Sequence, residues 1–358
     1  MPAGRYTCLV IIFFLLVTVL VGVFLAATPV QTPVSTTITI AAVGDIMMGT
    51  DYPEKFLPPE DGRHLFRDAE PFLRQADLAF ANLEGPLLDR GNCYKDTSQA
   101  HVFAFKTPAR FARNLAKAGF DVVSLANNHS RDFGEYGLKS TREILQIWGI
   151  NGISDKDTAV YQRNNISVCF VAFSFSPGSF SLIQPGKALT TIETQAKKYN
   201  IVVASFHCGS EGPAALHLTD TEEIFCGEKR GFPKKLGRDA VQKGADLVLM
   251  HGPHVPRAME IYHGRLIAYS LGNFCTYGFS SLKGPVALAP LLLVKLDSQG
   301  SLLQAAVISF RQVPPGIPRR DFSHQALHLL RKLSREDLSQ PETFLKSDVD
   351  FFLPGKVR

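Results

Sequence analysis

Short apolar runs that stop at a carboxylate, amide or imidazole recur along this chain, and they constrain its fold more than any other feature. Residues 37–43 (TITIAAV) lead into Gly44-Asp45, and 78–82 (LAFAN) into Glu84. Residues 121–126 (DVVSLA) lead into Asn127-Asn128-His129, 201–206 (IVVASF) into His207, and 246–250 (DLVLM) into His251 and His254. Further runs lie at 166–173, at 266–272 before Asn273, and at 291–296. Their β-branched content predicts strands. Helical stretches separate them. Thr107-Pro108 opens one as N-cap and first helical residue, and Gly119 stops it. Gly137 to Trp148 and Phe232 to Lys243 follow, ended by Gly149 and Gly244. Strand–helix–strand alternation predicts an α/β fold with largely parallel sheets.

In such folds ligands bind beyond the carboxyl ends of the strands. Asp45, Glu84, Asn128, His207, His251 and His254 therefore form a candidate site, although each taken singly reads as a turn former or cap. Oxygen and imidazole donors without thiolate suit Mn, Fe, Zn or Mg. The set is large enough for two divalent ions, which together activate water and clamp a displaced oxygen. No C-x-x-C motif occurs, so a zinc knuckle is unsupported. Of six cysteines, Cys8 lies near the N-terminus, and Cys93, Cys169, Cys208, Cys226 and Cys275, an odd number, fall in the remainder, where Cys208–Cys226 is the pair nearest in sequence for a disulfide.

Leu9 to Ala27 is nineteen residues without a charge. As a helix it covers about 28 Å, close to a bilayer core of roughly 30 Å. Arg5 and the amino terminus flank it upstream, and the next charge is Asp45. This asymmetry predicts a single-pass anchor with the remainder extracytoplasmic. A cleaved signal peptide is the alternative, disfavoured by the length of the run and by Leu25-Ala26-Ala27 at the cleavage position. Residues 28–37, with two prolines and no charge, read as a linker. Across 358 residues, 45% are apolar, and 38 Lys and Arg face 33 Asp and Glu. That composition excludes a disordered chain, a collagen or a disulfide-stapled mini-protein. The basic residues are scattered, which gives no indication of nucleic acid.

AAVGDIMMG (41–49), ANLEGPL (81–87), SLANNHSRDFGEYGL (124–138), ASFHCGSEG (204–212), GADLVLMHGPHVPRAMEIY (244–262) and IAYSLGNF (267–274) appear in that order. Together they resemble the CapA-type poly-γ-glutamate capsule biosynthesis family of the calcineurin-like metallophosphoesterase superfamily. The resemblance implies a sandwich of two β-sheets flanked by helices. It also implies that Asp45, Glu84, Asn128, His207, His251 and His254 hold metal and that His129 protonates a leaving group. Asp132, three residues on, would orient that imidazole. Glu211 and Asn127 would contact substrate, Asn127 alternatively bracing its loop. The chain departs from the superfamily pattern at Met47, where an imidazole is expected. It departs also in the spacing of His251 and His254, and in Cys208 after His207. The implied organisation is a cytoplasmic stub (1–8), anchor (9–27), linker (28–37), domain (38–315) and a tail (316–358) with one amphipathic stretch, Ser323 to Leu333.

Two functions compete. One is a membrane-anchored, metal-dependent hydrolase of the metallophosphoesterase type. The other is a non-catalytic polymer-binding or assembly subunit of a synthesis or export complex. Lys229, Arg230, Lys234, Lys235 and Arg238 place five positive charges within ten residues. Lys234 and Lys235 are candidates for docking an anionic polymer such as poly-γ-glutamate, or a phosphoester, with a solvated helix face as the plainer reading.

Overall fold

The apolar runs fold as strands whose side chains alternate between two hydrophobic layers. Along β1 (Thr37–Met47), Ile38, Ile40 and Ala42 enter one core while Ala41 and Val43 enter another. Successive Cβ atoms leave opposite faces of a strand, so a period of two serves both layers. The computed structural model describes residues 36–98, 102–176, 182–278, 282–341 and 344–347. The anchor expected at 9–27, and the linker up to residue 35, lie outside the described residues. Among the described residues no helix is long and apolar enough to cross a membrane.

The next strands are β2 (Leu78–Leu83), β3 (Val122–Ser124), β4 (Asn151–Ile153), β5 (Thr158–Arg163), β6 (Ile166–Ser174) and β7 (Ile201–His207). A small hairpin, β8 (Glu223–Phe225) and β9 (Glu228–Gly231), precedes β10 (Leu247–His251), β11 (Met259–Tyr262), β12 (Arg265–Ala268) and β13 (Asn273–Thr276). The chain continues through β14 (Leu288–Asp297), β15 (Leu302–Val313), β16 (Ile317–Arg320) and β17 (Leu345–Lys346). One sheet runs β16-β15-β14-β1-β2-β3-β4, with β13 beside β1 and β17 beside β15. The other runs β11-β12-β10-β7-β6-β5. Its central strands β6, β7, β10 and β12 pair in parallel, as do β1, β2, β3 and β4 in the first.

The inner faces share one core, in which Phe80 of β2 stacks on Phe170 of β6 at 5.9 Å between ring centroids. The outer face of the first sheet is covered by α1 (Glu70–Gln75), α2 (Ala112–Ala118) and α3 (Gly134–Ile147), through Leu73, Leu115 and Leu145. The outer face of the second is covered by α4 (Gly186–Ala196) and α5 (Pro233–Gln242), through Ile192, Leu236 and Ala240. Two helix-covered sheets packed face to face form a mixed α/β fold.

Several sequence expectations need correction. Thr107 does not cap the helix ahead of Ala118. Its hydroxyl donates instead to the Gly49 carbonyl at 2.6 Å, and a 3₁₀ turn at Ala109–Phe111 precedes α2. Within the expected tail, the described residues 316–341 and 344–347 join the domain, and the amphipathic stretch is a helix that closes it. β16 pairs with β15, and Leu327 and Leu330 of α6 (Gln325–Leu338) enter the core between the sheets. No disulfide joins Cys208 to Cys226, because Cys208 is buried and Cys226 exposed, and both are free thiols. The hairpin β8–β9 carries no strand signal in the sequence, because EIF and EKRG are short and EKRG is polar.

Candidate functional site

The site begins where β1 changes partner. Up to Val43 the strand pairs with β14. From Asp45 it pairs in parallel with β13, Asp45 opposite Asn273, and the register of that pairing shifts between Asp45 and Ile46. Gly44 permits that approach, because a Cβ there would lie 1.9 Å from the Gly272 carbonyl oxygen. The Asp45 amide donates to that same oxygen at 2.9 Å. Gly44→Ala is therefore expected to destabilise the domain by about 1–3 kcal/mol or more through overpacking. Chemical denaturation and metal titration together should show lost stability and weakened metal binding.

β2 delivers Asn82 beside Asp45 and Glu84 just beyond it. The Glu84 amide donates to the Ile46 carbonyl at 2.9 Å. From the second sheet, β7 and β10 end side by side, with His207 and His251 in register. The chain then turns through Gly252, at φ 113°, and His254, whose left-handed φ of 58° is a strained conformation for a residue with a side chain. The turn brings His254 back over the cluster.

The distances are short. His254 Nδ1 lies 3.1 Å from Asp45 Oδ2, 3.9 Å from Glu84 Oε2 and 2.9 Å from Asn273 Oδ1. His251 Nδ1 is 3.4 Å from Asp45 Oδ1, and His207 Nε2 is 3.6 Å from Glu84 Oε1. Asn82 donates to Asp45 Oδ1 at 2.8 Å. Asp45, Glu84 and His254 each offer a ligand atom within 4.8 Å of the others. The site thus gathers five of the six proposed metal ligands at the sheet ends. Asn128, the sixth, lines an adjoining cavity, with its Oδ1 buried and unpartnered.

The donor set fits a divalent cation. Glu84 Oε1, His207 Nε2 and both ring nitrogens of His251 are also buried without a hydrogen-bond partner. Buried polar atoms are seldom left so, because each costs about 1–3 kcal/mol. The charges are correspondingly crowded. Burial raises the Asp45 pKa, yet the imidazoles of His251 and His254 hold it well below the usual carboxylate range. Burial and the charge of Asp45 push Glu84 up to about 8. Burial opposes the charge on His254, but Glu84 and Asp45 raise it to about 10. Burial drives His207 well below its ordinary value.

The sign of the pH effect follows. Between pH 7 and about 8, folded metal-free protein keeps protons on Glu84 and His254 that the unfolded chain has largely released. Stability of metal-free protein is expected to fall as pH rises through that window. A divalent cation, which needs these ligands deprotonated, should bind more tightly over the same range and release protons. Thermal unfolding at pH 7 and pH 8.5, with and without metal, checks both signs.

His129 sits in the loop after β3. Its Nδ1 lies 3.0 Å from Asp132 Oδ2. Asp132 is fully buried, accepts from the Phe105 amide at 2.8 Å and pairs with Lys95 Nζ at 2.7 Å. Burial pulls the His129 pKa down, opposed by Asp132. Asn127 braces the loop: its Oδ1 accepts from the His129 amide at 3.1 Å, and its Nδ2 donates to Asn82 Oδ1 and to the Leu83 carbonyl.

Glu211 Oε2 is 3.8 Å from His254 Nε2, and its Oε1 accepts from Arg230 Nη1 at 2.7 Å. Arg230 is the member of the basic run that faces the cavity. The others meet carboxylates outside the lining of the cavities at the site: Lys229 with Glu222, Lys234 with Asp220, Lys235 with Asp239, and Arg238 with Glu260. Lys234 and Lys235 are thus brought neither to the cleft nor into an unpaired face. Two further residues join the site, Asn82 and Lys95. Asn82 carried the same signal as its neighbours, a polar residue closing an apolar run. Lys95 carried none, lying in an aperiodic segment.

Side chains able to hold a metal ion therefore converge from both sheets at the carboxyl ends of the strands, within a mixed α/β fold. Residues 39–277 match the model of the bacterial capsule synthesis protein PGA_cap family, and the chain belongs to that family. The PGA biosynthesis protein CapA of Bacillus subtilis (strain 168) is 29% identical over 282 residues, covering 72% of this chain and 70% of that protein. The capsule biosynthesis protein CapA of Bacillus anthracis is 29% identical over 263 residues, covering 70% and 62%. Among solved structures, a hypothetical protein from Thermus thermophilus aligns with a TM-score of 0.47 at 17% identity, over 76% of this chain and 99% of that one. A 5'-nucleotidase precursor from the same organism aligns at 0.43 and 15%, over 83% and 58%.

Proposed function

We propose that this protein is a metal-dependent hydrolase or transferase of poly-γ-glutamate capsule synthesis, held at the outer face of the cell membrane by residues 9–27. The observation that carries the reading is the convergence of Asp45, Glu84, His207, His251 and His254 with buried, unpartnered donor atoms, beside a His129–Asp132 pair. Those five residues and Asn128 would hold divalent ions, two in the fullest arrangement. When bound, such ions supply an activated water and neutralise charge on a phosphoryl or acyl centre.

The chain's own groups do the rest. Asp132 engages His129 Nδ1, which leaves Nε2 as the nitrogen for the cleft. Asp132 also stabilises the protonated ring, so His129 can give a proton to the departing oxygen or nitrogen. Lys95 fixes Asp132 from its other oxygen. Arg230 holds Glu211 against His254. The paired charges of Lys234 and Lys235 give no support to a purely electrostatic polymer-binding role.

Metal analysis of the domain from residue 36, coupled to turnover of phosphomonoesters, phosphodiesters and γ-glutamyl polymers, tests the proposal. Metal at one or two ions per chain and turnover of one class are expected. A metal-free domain inert with Mn, Zn, Fe and Mg would overturn it.

A further inference from the structure

Two cavities open beside the metal-ligand cluster, and they meet. Phe103, His129, Glu211 and Phe225 line both, so they are two arms of one cleft with those residues at the junction. Glu84 and His254 line the second arm. The arms differ in chemistry. The first, of about 560 Å³, is walled by Lys95, Asn128, Ser130, Arg131, Glu228 and Arg230, its three cations paired with Asp132, Glu135 and the Glu211 and Glu228 carboxylates but outnumbering the two carboxylates that line the arm. Arg230 is buried, lies 4.1 Å over the Phe175 ring, and has an Nε without a hydrogen-bond partner. The second arm, of about 610 Å³, runs past Met47, Phe105, Pro213 and Val286. Lys283 is the one lysine or arginine among its described lining residues.

A polyanion lying along both arms would carry its carboxylates past Met47, Phe105 and Val286 with a single lysine to meet them. Burying unpaired charge against such a wall is costly, whereas a hydrocarbon gains from it. We infer that the cleft takes an amphiphilic phosphoester, its phosphorus at the junction, its anionic oxygens turned into the polar arm and its hydrocarbon portion in the apolar arm. This rests on the hydrolase reading and narrows its substrate. Each arm falls within the 300–1,000 Å³ range of ordinary small-ligand sites.

The test uses full-length protein loaded with Mn²⁺ in detergent, with methyl-, butyl-, hexyl- and octylphosphonate as non-hydrolysable probes. Binding is measured by calorimetry, and turnover with the matching p-nitrophenyl alkyl phosphates. Affinity is expected to rise about two- to fourfold per methylene until the arm fills. Val286→Lys, and separately the exposed Pro213→Lys, should flatten that slope. Arg131→Gln should weaken every member severalfold and leave the slope unchanged. A wild-type affinity independent of chain length overturns the inference. So does a slope that both lysine variants leave intact, because the chain then binds elsewhere. Methylphosphonate binding unaffected by Arg131→Gln overturns the placement of the anionic oxygens. A chain-length slope in binding without turnover of any ester sinks the hydrolase reading and leaves the amphiphile site standing. Turnover without a slope does the reverse.

Discussion

Replacing His129 by Ala is expected to lower kcat/KM by about 10²–10⁴-fold while leaving the bound metal nearly unchanged. The separation is geometric. The described contacts of His129 are with Asp132, Lys95, Asn127 and Phe105, and not with the Asp45 cluster. Its loss should therefore remove a proton donor without removing a ligand. Asp132→Asn gives the companion result. Asp132 opposes the effect of burial on the His129 pKa, so its neutralisation lowers that pKa further. A general acid works while protonated, and the alkaline limb of the rate profile should move to lower pH. Metal content by elemental analysis and kcat/KM across pH decide the matter. An Ala variant within threefold of wild type would remove His129 from the chemistry.

Arg257→Met is expected to destabilise the domain by about 3–5 kcal/mol, the usual cost of stripping one partner from a buried ion pair. Arg257 is 1% exposed and pairs with Glu223 through two bonds of 2.9 Å. It also donates to the carbonyls of Ala215 and Ser210. Glu223 in turn accepts from the Ser210 amide at 2.7 Å. One guanidinium thus ties the hairpin β8–β9, which carries Phe225 and Arg230, to the loop that carries Glu211. Arg257 stands three residues after His254, so the same segment supplies an imidazole of the candidate site and the clamp for the cleft wall. The double variant Arg257→Met/Glu223→Leu should recover much of the loss, because no buried carboxylate is then left alone. Denaturant midpoints for the two variants test this. Equal destabilisation of single and double variants would show that shape, and not the charge pair, holds the loop.

Much of the site was legible because it follows a local rule. An apolar strand that emerges from a core must end in residues that tolerate polar surroundings. Asp45, Glu84, His207 and His251 all stand at such exits. Asn82 obeys the same rule, although Glu84 two residues on carries the stronger ligand signal. Asn127 resolves toward its bracing role through hydrogen bonds that reach back to β2. Lys95 was illegible, since its importance depends on Asp132, a residue it meets only in three dimensions. Over the basic run 229–238 the ion pairs favour the solvated face over a docking surface. Charge density along a chain says nothing of the carboxylates that the fold sets against it, and here each cation has one.

The sequence by itself determined the alternation of strands and helices, the two-layered patterning of the central strands, and the kinds of donor at the strand ends. These are properties of neighbouring residues, set by side-chain period and by what an apolar core excludes. Only the tertiary structure decided that β13 slides in beside β1 at Gly44, that His254 folds back through a left-handed turn, and that one arm of the cleft is polar and the other apolar. Those outcomes depend on contacts between residues far apart in the chain. Their energies arise only when two sheets pack, and no local pattern encodes which distant backbone will be within reach.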